Sequence, residues 1–171
     1  MAMSRTLLRT TALSGRSPSQ ALIRANELML NDTQAELFLS AFYLILSTTE
    51  GTIDFASAGH NPPYLVRASD AKVFSLDATG TILGAFDEIK LEEKQARLDV
   101  NDLLVLYTDG ITEAFNPQGD LYGEERLINL LHQNHSLDAQ ELLACLLDDV
   151  NQFAGSLSPS DDLTVVVIKR V

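Results

Sequence analysis

Basic residues are scarce in this 171-residue chain: 12 lysines and arginines stand against 24 aspartates and glutamates, a formal net charge of −12. A nucleic-acid binder needs a basic face to displace counterions from phosphates, so the balance argues against that class. Cysteine is reduced to one, Cys145, set in the apolar run Leu142-Leu143-Ala144-Cys145-Leu146-Leu147. A lone thiol forms no internal disulfide and in this run reads as a core side chain, so a reducing cytoplasm is the expected compartment. Long hydrophobic runs are missing too. None reaches the roughly 18–20 residues that span a bilayer, so no membrane association is expected. Residues 1–14 alternate Arg and Thr with apolar residues and lack the apolar core of a signal peptide. Also absent are a P-loop, a Rossmann fingerprint, a Cys/His zinc spacing and a nucleophile elbow.

What is present is globular. Apolar residues make up 46% of the chain, and a chain of this length folds as one compact domain spanning residues 1–171. Residues 1–13 and 18–30 read as helices, separated by Gly15 and Ser17-Pro18. Ser17 is placed to cap and Pro18 suits the first helical position. Ala21, Leu22, Ala25, Leu28 and Met29 form a helical stripe. Residues 38–47 and 52–58 pair as a hairpin across Glu50-Gly51, and residues 64–67 and 72–76 across Ser69-Asp70. Residues 90–98 alternate, residues 102–107 form a buried run, residues 124–133 and 137–153 are helical, and residues 164–169 form a last buried strand. Consecutive hairpins with helices at both ends predict an α+β fold, a largely antiparallel β-sandwich flanked by helices.

Two acidic turns stand out at strand ends. Asp109-Gly110 follows the run Val105-Leu106-Tyr107, and Asp161-Asp162 precedes Val165-Val166-Val167-Ile168. Asp-Gly is a strong hairpin dipeptide, and Asp161-Asp162 after Ser158-Pro159-Ser160 reads equally as a solvated turn. The other reading is a metal site, because strand-end carboxylates suit the oxygen-seeking ions Mg²⁺ and Mn²⁺. The segment after Asp109-Gly110 does not alternate like a partner strand, and adjacent carboxylates repel unless a cation compensates them. His60, in the loop Gly59-His60-Asn61-Pro62-Pro63, is a turn residue or a ligand, proton donor or phosphate contact. His132 and His135 suit a solvated helix C-terminus.

Taken in order, the segments resemble one family. They are Phe55-Ala56-Ser57-Ala58-Gly59-His60-Asn61-Pro62-Pro63-Tyr64, Ile82-Leu83-Gly84, Tyr107-Thr108-Asp109-Gly110-Ile111-Thr112-Glu113-Ala114, Tyr122-Gly123-Glu124-Glu125-Arg126-Leu127 and Ser160-Asp161-Asp162-Leu163-Thr164. The chain resembles the SpoIIE-type serine phosphatase domain of the bacterial PPM (metal-dependent, type 2C) protein phosphatases. That resemblance implies a β-sandwich with a two-metal Mn²⁺ or Mg²⁺ centre, hydrolysing phosphoserine or phosphothreonine by direct attack of a metal-bound water. By position it implies Asp109 and Asp161 as metal ligands, Asp162 behind them, and Gly110 as the point of close backbone approach. His60 falls where many relatives carry an aspartate. The partner it implies is a phosphorylated regulatory protein of the anti-sigma-factor-antagonist type.

The family also places two metal aspartates upstream, one in an Asp-x-x-Gly-[His/Lys]-Gly motif. This sequence begins at the helix after that motif and contains neither. The expectation is therefore the C-terminal two-thirds of the domain, N-terminally truncated, with residues 1–32 as a helical switch-like region and weak metal binding. A catalytically incompetent module that binds a protein, or forms a homodimer through an exposed sheet edge or its N-terminal helices, is the alternative.

Overall fold

Pro18 opens the first described helix, where a missing N–H costs nothing and a fixed φ suits the turn. The computed structural model describes residues 15–31, 38–157 and 161–171. The helix expected over residues 1–13, Asp32 and the Ser158-Pro159-Ser160 segment lie outside these. Helix α1 is Pro18–Leu30, with Ser17 at its N-cap and Asn31 at its C-cap. The strands β1 (Ala41–Leu46), β2 (Thr52–Ala58), β3 (Tyr64–Val66), β4 (Val73–Ser75), β5 (Glu93–Arg97) and β6 (Leu103–Tyr107) follow. Then come α2 (Asp109–Thr112), α3 (Gly123–Gln133), α4 (Ala139–Ala154) and β7 (Val165–Lys169). The result is the expected α+β fold, with every named strand pair antiparallel.

The described residues form two compact units that interleave along the chain. The first takes the described residues up to Pro62 together with Asp77–Arg97. Its sheet has the order β1-β2-β5. α1 buries Leu22, Ala25 and Met29 against Ala56, Ala58 and Leu83, so the expected stripe is the packed face. Glu93 on β5 fastens the start of α1: its Oε2 accepts hydrogen bonds from Ser17 Oγ (2.6 Å), Ser19 N (2.9 Å) and Ser19 Oγ (2.6 Å). These bonds hold the Glu93 carboxyl below its ordinary pKa, the Ser17 hydroxyl contributing most. Gly80 is required here, because a Cβ would meet the Ser57 carbonyl oxygen at 1.8 Å.

The second unit takes Pro63–Leu76 and Leu98–Val171, with the sheet order β4-β3-β6-β7. Its core joins Val66, Leu103 and Val105 of the sheet to Leu127 and Leu131 of α3 and Leu142, Leu146 and Val150 of α4. Cys145 packs, half-buried, against this core as the sequence predicts. Asp138 is the N-cap of α4, its Oδ1 accepting Glu141 N–H at 2.7 Å. The two central helices are tied by an aromatic and ionic clamp. Arg126 donates to both carboxylate oxygens of Asp149 (2.9 and 2.8 Å), and Tyr122 Oη donates to Asp149 Oδ2 at 2.7 Å. The guanidinium also lies over the rings of Tyr122 and Phe153.

One difference from the sequence reading concerns β7. Expected as a buried strand, it is half-buried, with Val166 exposed. β7 is the outer strand of its sheet, so its apolar run covers one face of a sheet edge rather than a central position.

Candidate metal centre

β6 and β7 create the site by pairing. The register sets Tyr107 opposite Val165, so the residues following β6 and those preceding β7 emerge at the same end of the sheet. That places the two acidic turns, far apart in sequence, beside one another.

The first turn is not a hairpin. Asp109-Gly110 opens the one-turn helix α2, with Thr108 at the N-cap in extended conformation. The backbone carbonyl of Asp109 accepts Glu113 N–H at 2.7 Å and Thr112 Oγ1 at 3.3 Å. Ile111 and Ala114 anchor the turn in the core, while the Asp109 side chain faces solvent. This explains why residues 111–115 lack strand alternation: they bury apolar groups with helical spacing.

Thr108 clasps the second turn to the first. Its N–H donates to Thr164 O at 3.1 Å, its Oγ1 donates to Asp162 O at 3.0 Å, and the same Oγ1 accepts Thr164 N–H at 3.1 Å. Gly110 completes the contact. A Cβ there would stand 2.8 Å from the Asp162 carbonyl oxygen, so only glycine allows the backbones this close. Within the second turn, Asp161 Oδ1 accepts Asp162 N–H at 2.7 Å, which fixes one carboxylate against the local backbone.

The structure therefore brings together Asp109, Gly110, Asp161 and Asp162 at one sheet end. All three carboxylates are exposed, and no lysine or arginine forms an ion pair with them among the described residues. Like charges so gathered are balanced by solvent or by a bound cation. Their chemistry, carboxylate oxygen donors in two turns at one end of the sheet, fits Mg²⁺ or Mn²⁺. Their number stops short of a complete cage: among the described residues no three His, Cys, Asp or Glu side chains converge as a metal site.

The three histidines make contacts of their own. His60 belongs to the first unit. Its Nδ1 lies 3.1 Å from Ser40 Oγ, its N–H donates to Ser57 Oγ at 3.3 Å, and Ser57 Oγ donates back to His60 O at 3.2 Å. These contacts close the loop after β2. His132 Nδ1 lies 2.8 Å from Ala71 O, and His135 Nδ1 lies 3.0 Å from His132 O. Both finish α3 as its sequence position suggests.

Sequence reasoning passes over Thr108 as a structural element of the site. Its only signal is a hydroxyl immediately before the acidic dipeptide, and its partners are fixed by long-range pairing.

A family model described as Stage II sporulation protein E (SpoIIE) matches residues 1–171. Phosphoserine phosphatase RsbU of Bacillus subtilis is 27% identical over 157 residues, covering 92% of this chain and 46% of that protein. Phosphoserine phosphatase RsbP of the same organism is 25% identical over 143 residues, covering 84% of this chain and 34% of that protein. The chain thus spans about half or less of the length of these curated relatives. Among solved structures, the SiaA-PP2C domain of Pseudomonas aeruginosa superposes with a TM-score of 0.83 at 18% identity, covering 97% of this chain and 67% of that one. The RsbU and RsbW domains of Rv1364c from Mycobacterium tuberculosis superpose with a TM-score of 0.76 at 24% identity, covering 99% and 46%. At these identities the structural likeness shows the fold.

Proposed function

The chain belongs to the Stage II sporulation protein E (SpoIIE) family, and from that premise we propose that it hydrolyses phosphoserine or phosphothreonine on a regulatory protein. In this reading Asp109 and Asp161 are ligands of a Mn²⁺ or Mg²⁺ centre, and Asp162 stands directly behind them. The observation that carries it is the clasp of Thr108 and Gly110 on Asp162, which holds two acidic turns at one sheet end. The remaining ligands of the centre come from outside this group of carboxylates.

Each residue has a physical task. β6, β7 and the Thr108 clasp fix the backbones of the two turns, so the positions from which the carboxylates project are set before any ion arrives. This lowers the ordering cost of binding. Asp109 and Asp161 supply hard, ionised oxygen donors, and Asp161 is already oriented by Asp162 N–H. Gly110 leaves open the space a side chain would take between the two turns. A divalent ion bound there lowers the pKa of water and offsets charge on phosphoryl oxygens.

The proposed substrate is a phosphorylated protein of the anti-sigma-factor-antagonist type. Two relatives named phosphoserine phosphatases, and the solved chain joining RsbU and RsbW domains, support this choice. No described helix is long and apolar enough to cross a membrane, which fits the proposed action in the cytoplasm. The test is phosphate release by this protein from a phosphoserine protein in Mn²⁺. Asp109→Asn is expected to lower Mn²⁺ affinity and turnover by more than about 100-fold, beyond the usual loss on removing a group that merely supports a ligand. Turnover that survives Asp109→Asn and Asp161→Asn overturns the assignment.

A further inference from the structure

Beside the acidic turns lies a cavity of about 280 Å³ within the second unit. α2 contributes Gly110 and the segment after it Ala114. α4 contributes Val150, Asn151 and Ala154, and Leu157 and Leu163 complete the apolar lining. Two of its walls continue the site directly, because Gly110 follows Asp109 and Leu163 follows Asp162. Asn151 is its one polar side chain, with no hydrogen-bond partner for that side chain among the described residues.

Size and chemistry select the occupant. Pockets for small molecules and cofactors usually run from about 300 to 1,000 Å³, so this cavity lies just below that range and suits a single side chain. An extended peptide advances about 3.3–3.6 Å per residue. With Gly110 and Leu163 next to Asp109 and Asp162 in the chain, a peptide whose phosphate meets a cation held by the acidic turns brings a neighbouring residue to the cavity. Chemistry narrows the choice further. Apart from Asn151 the lining side chains are apolar, so burying an apolar neighbour there is favoured and burying a charged one is not.

We propose that this cavity is the specificity subsite for the protein substrate: it takes the apolar side chain of the residue beside the phosphoserine, while Asn151 hydrogen-bonds that residue's backbone. The subsite rests on the phosphatase reading given above.

Two phosphopeptides that differ only in leucine or glycine beside the phosphoserine test it. In Mn²⁺ the leucine peptide is expected to show a kcat/KM about tenfold higher, the discrimination an apolar pocket ordinarily provides. Ala154→Phe fills the cavity and Leu157→Ser removes part of its wall; each is expected to bring the ratio near one. Thermal melting checks that both variants fold. Leu157 lies on an exposed segment, 44% accessible, so its variant remains informative if Ala154→Phe does not fold. Equal rates for the two peptides in the unaltered protein, or a ratio unchanged in a folded variant, overturns the subsite. If no phosphopeptide is hydrolysed, the phosphatase reading fails instead. Fluorescence anisotropy of the same labelled peptides then decides the cavity's role. Tighter binding of the leucine peptide, weakened in the variants, upholds it, and equal binding removes it.

Discussion

Thr108 Oγ1 and the Asp162 carbonyl oxygen, from residues 54 positions apart, lie 3.0 Å from one another. The same hydroxyl accepts Thr164 N–H, so one side chain both donates and accepts across the strand ends. Thr108→Val keeps the shape and removes both bonds. Loss of two modest hydrogen bonds is expected to cost about 1–3 kcal/mol, read by urea unfolding. Thr108→Ser retains the hydroxyl and is expected to recover most of that loss. Mn²⁺ affinity should follow the same order if the clasp sets the spacing of the carboxylates.

Gly110→Ala tests the close approach from the other side. The new methyl would meet the Asp162 carbonyl at 2.8 Å, a backbone atom that shifts only with its turn. Overpacking of this kind costs about 1–3 kcal/mol. The expected outcome is a folded protein of lowered melting temperature with weakened Mn²⁺ binding by calorimetry. Unchanged binding would show that the turns tolerate separation.

Asp102, 2% exposed, carries a third prediction away from the site. Its carboxylate accepts hydrogen bonds from Arg67 Nη1, Ala68 N (2.9 Å) and Asp99 N (3.0 Å). Asp102→Ala leaves the Ala68 and Asp99 N–H groups without their carboxylate acceptor and leaves Arg67 with the exposed Asp99 as its carboxylate partner. Leaving two backbone donors without their acceptor costs about 1–3 kcal/mol each where they are buried. Chemical denaturation should show a loss of that size, against a much smaller loss for the exposed pair partner in Asp99→Ala.

Acid should loosen the α3–α4 clamp. The hydrogen bonds from Arg126 hold the Asp149 carboxyl below the usual carboxylate range, and the Tyr122 hydroxyl adds to the effect. Burial, with the hydrogen bond to Asp149, pushes the Tyr122 phenol upward, so it remains a donor throughout. A depressed folded-state pKa gives stability that is complete above the unfolded value of about 3.9 and disappears as pH falls through the folded value. Unfolding free energy should therefore decline below about pH 4. Asp149→Asn should show a shallower decline over that window, measured by denaturant titrations at successive pH values. An identical slope in the variant would remove Asp149 as a source of acid sensitivity.

The parts legible in the sequence were those with local signals. Pro18 and the stripe through Leu22, Ala25 and Met29 mark α1, and the paired runs around Gly51 mark the β1–β2 hairpin. Both depend on neighbours in the chain. The half-burial of β7 was not legible, because its outer place follows from which strands pair beside it. α2 was read as a turn for a related reason: four residues are too few to display a period. Arg126 and Asp149 lie on separate helices, and nothing local announces their pairing. The acidic turns themselves were visible, and the strings around them carried the family. Their adjacency, and the work of Thr108, come from the β6–β7 register.

That register also sets an order of events during synthesis. β6 leaves the ribosome with β3 already available on one flank, but its other flank stays bare until β7 arrives late in the chain. Until then the apolar strand Leu103–Tyr107 has an open edge, a natural target for chaperones and a hazard for mispairing. Asp161 and Asp162 come with β7. The acidic turns are thus brought together in the same step that adds β7 to the sheet, so a nascent chain cannot display the site before β6 and β7 pair.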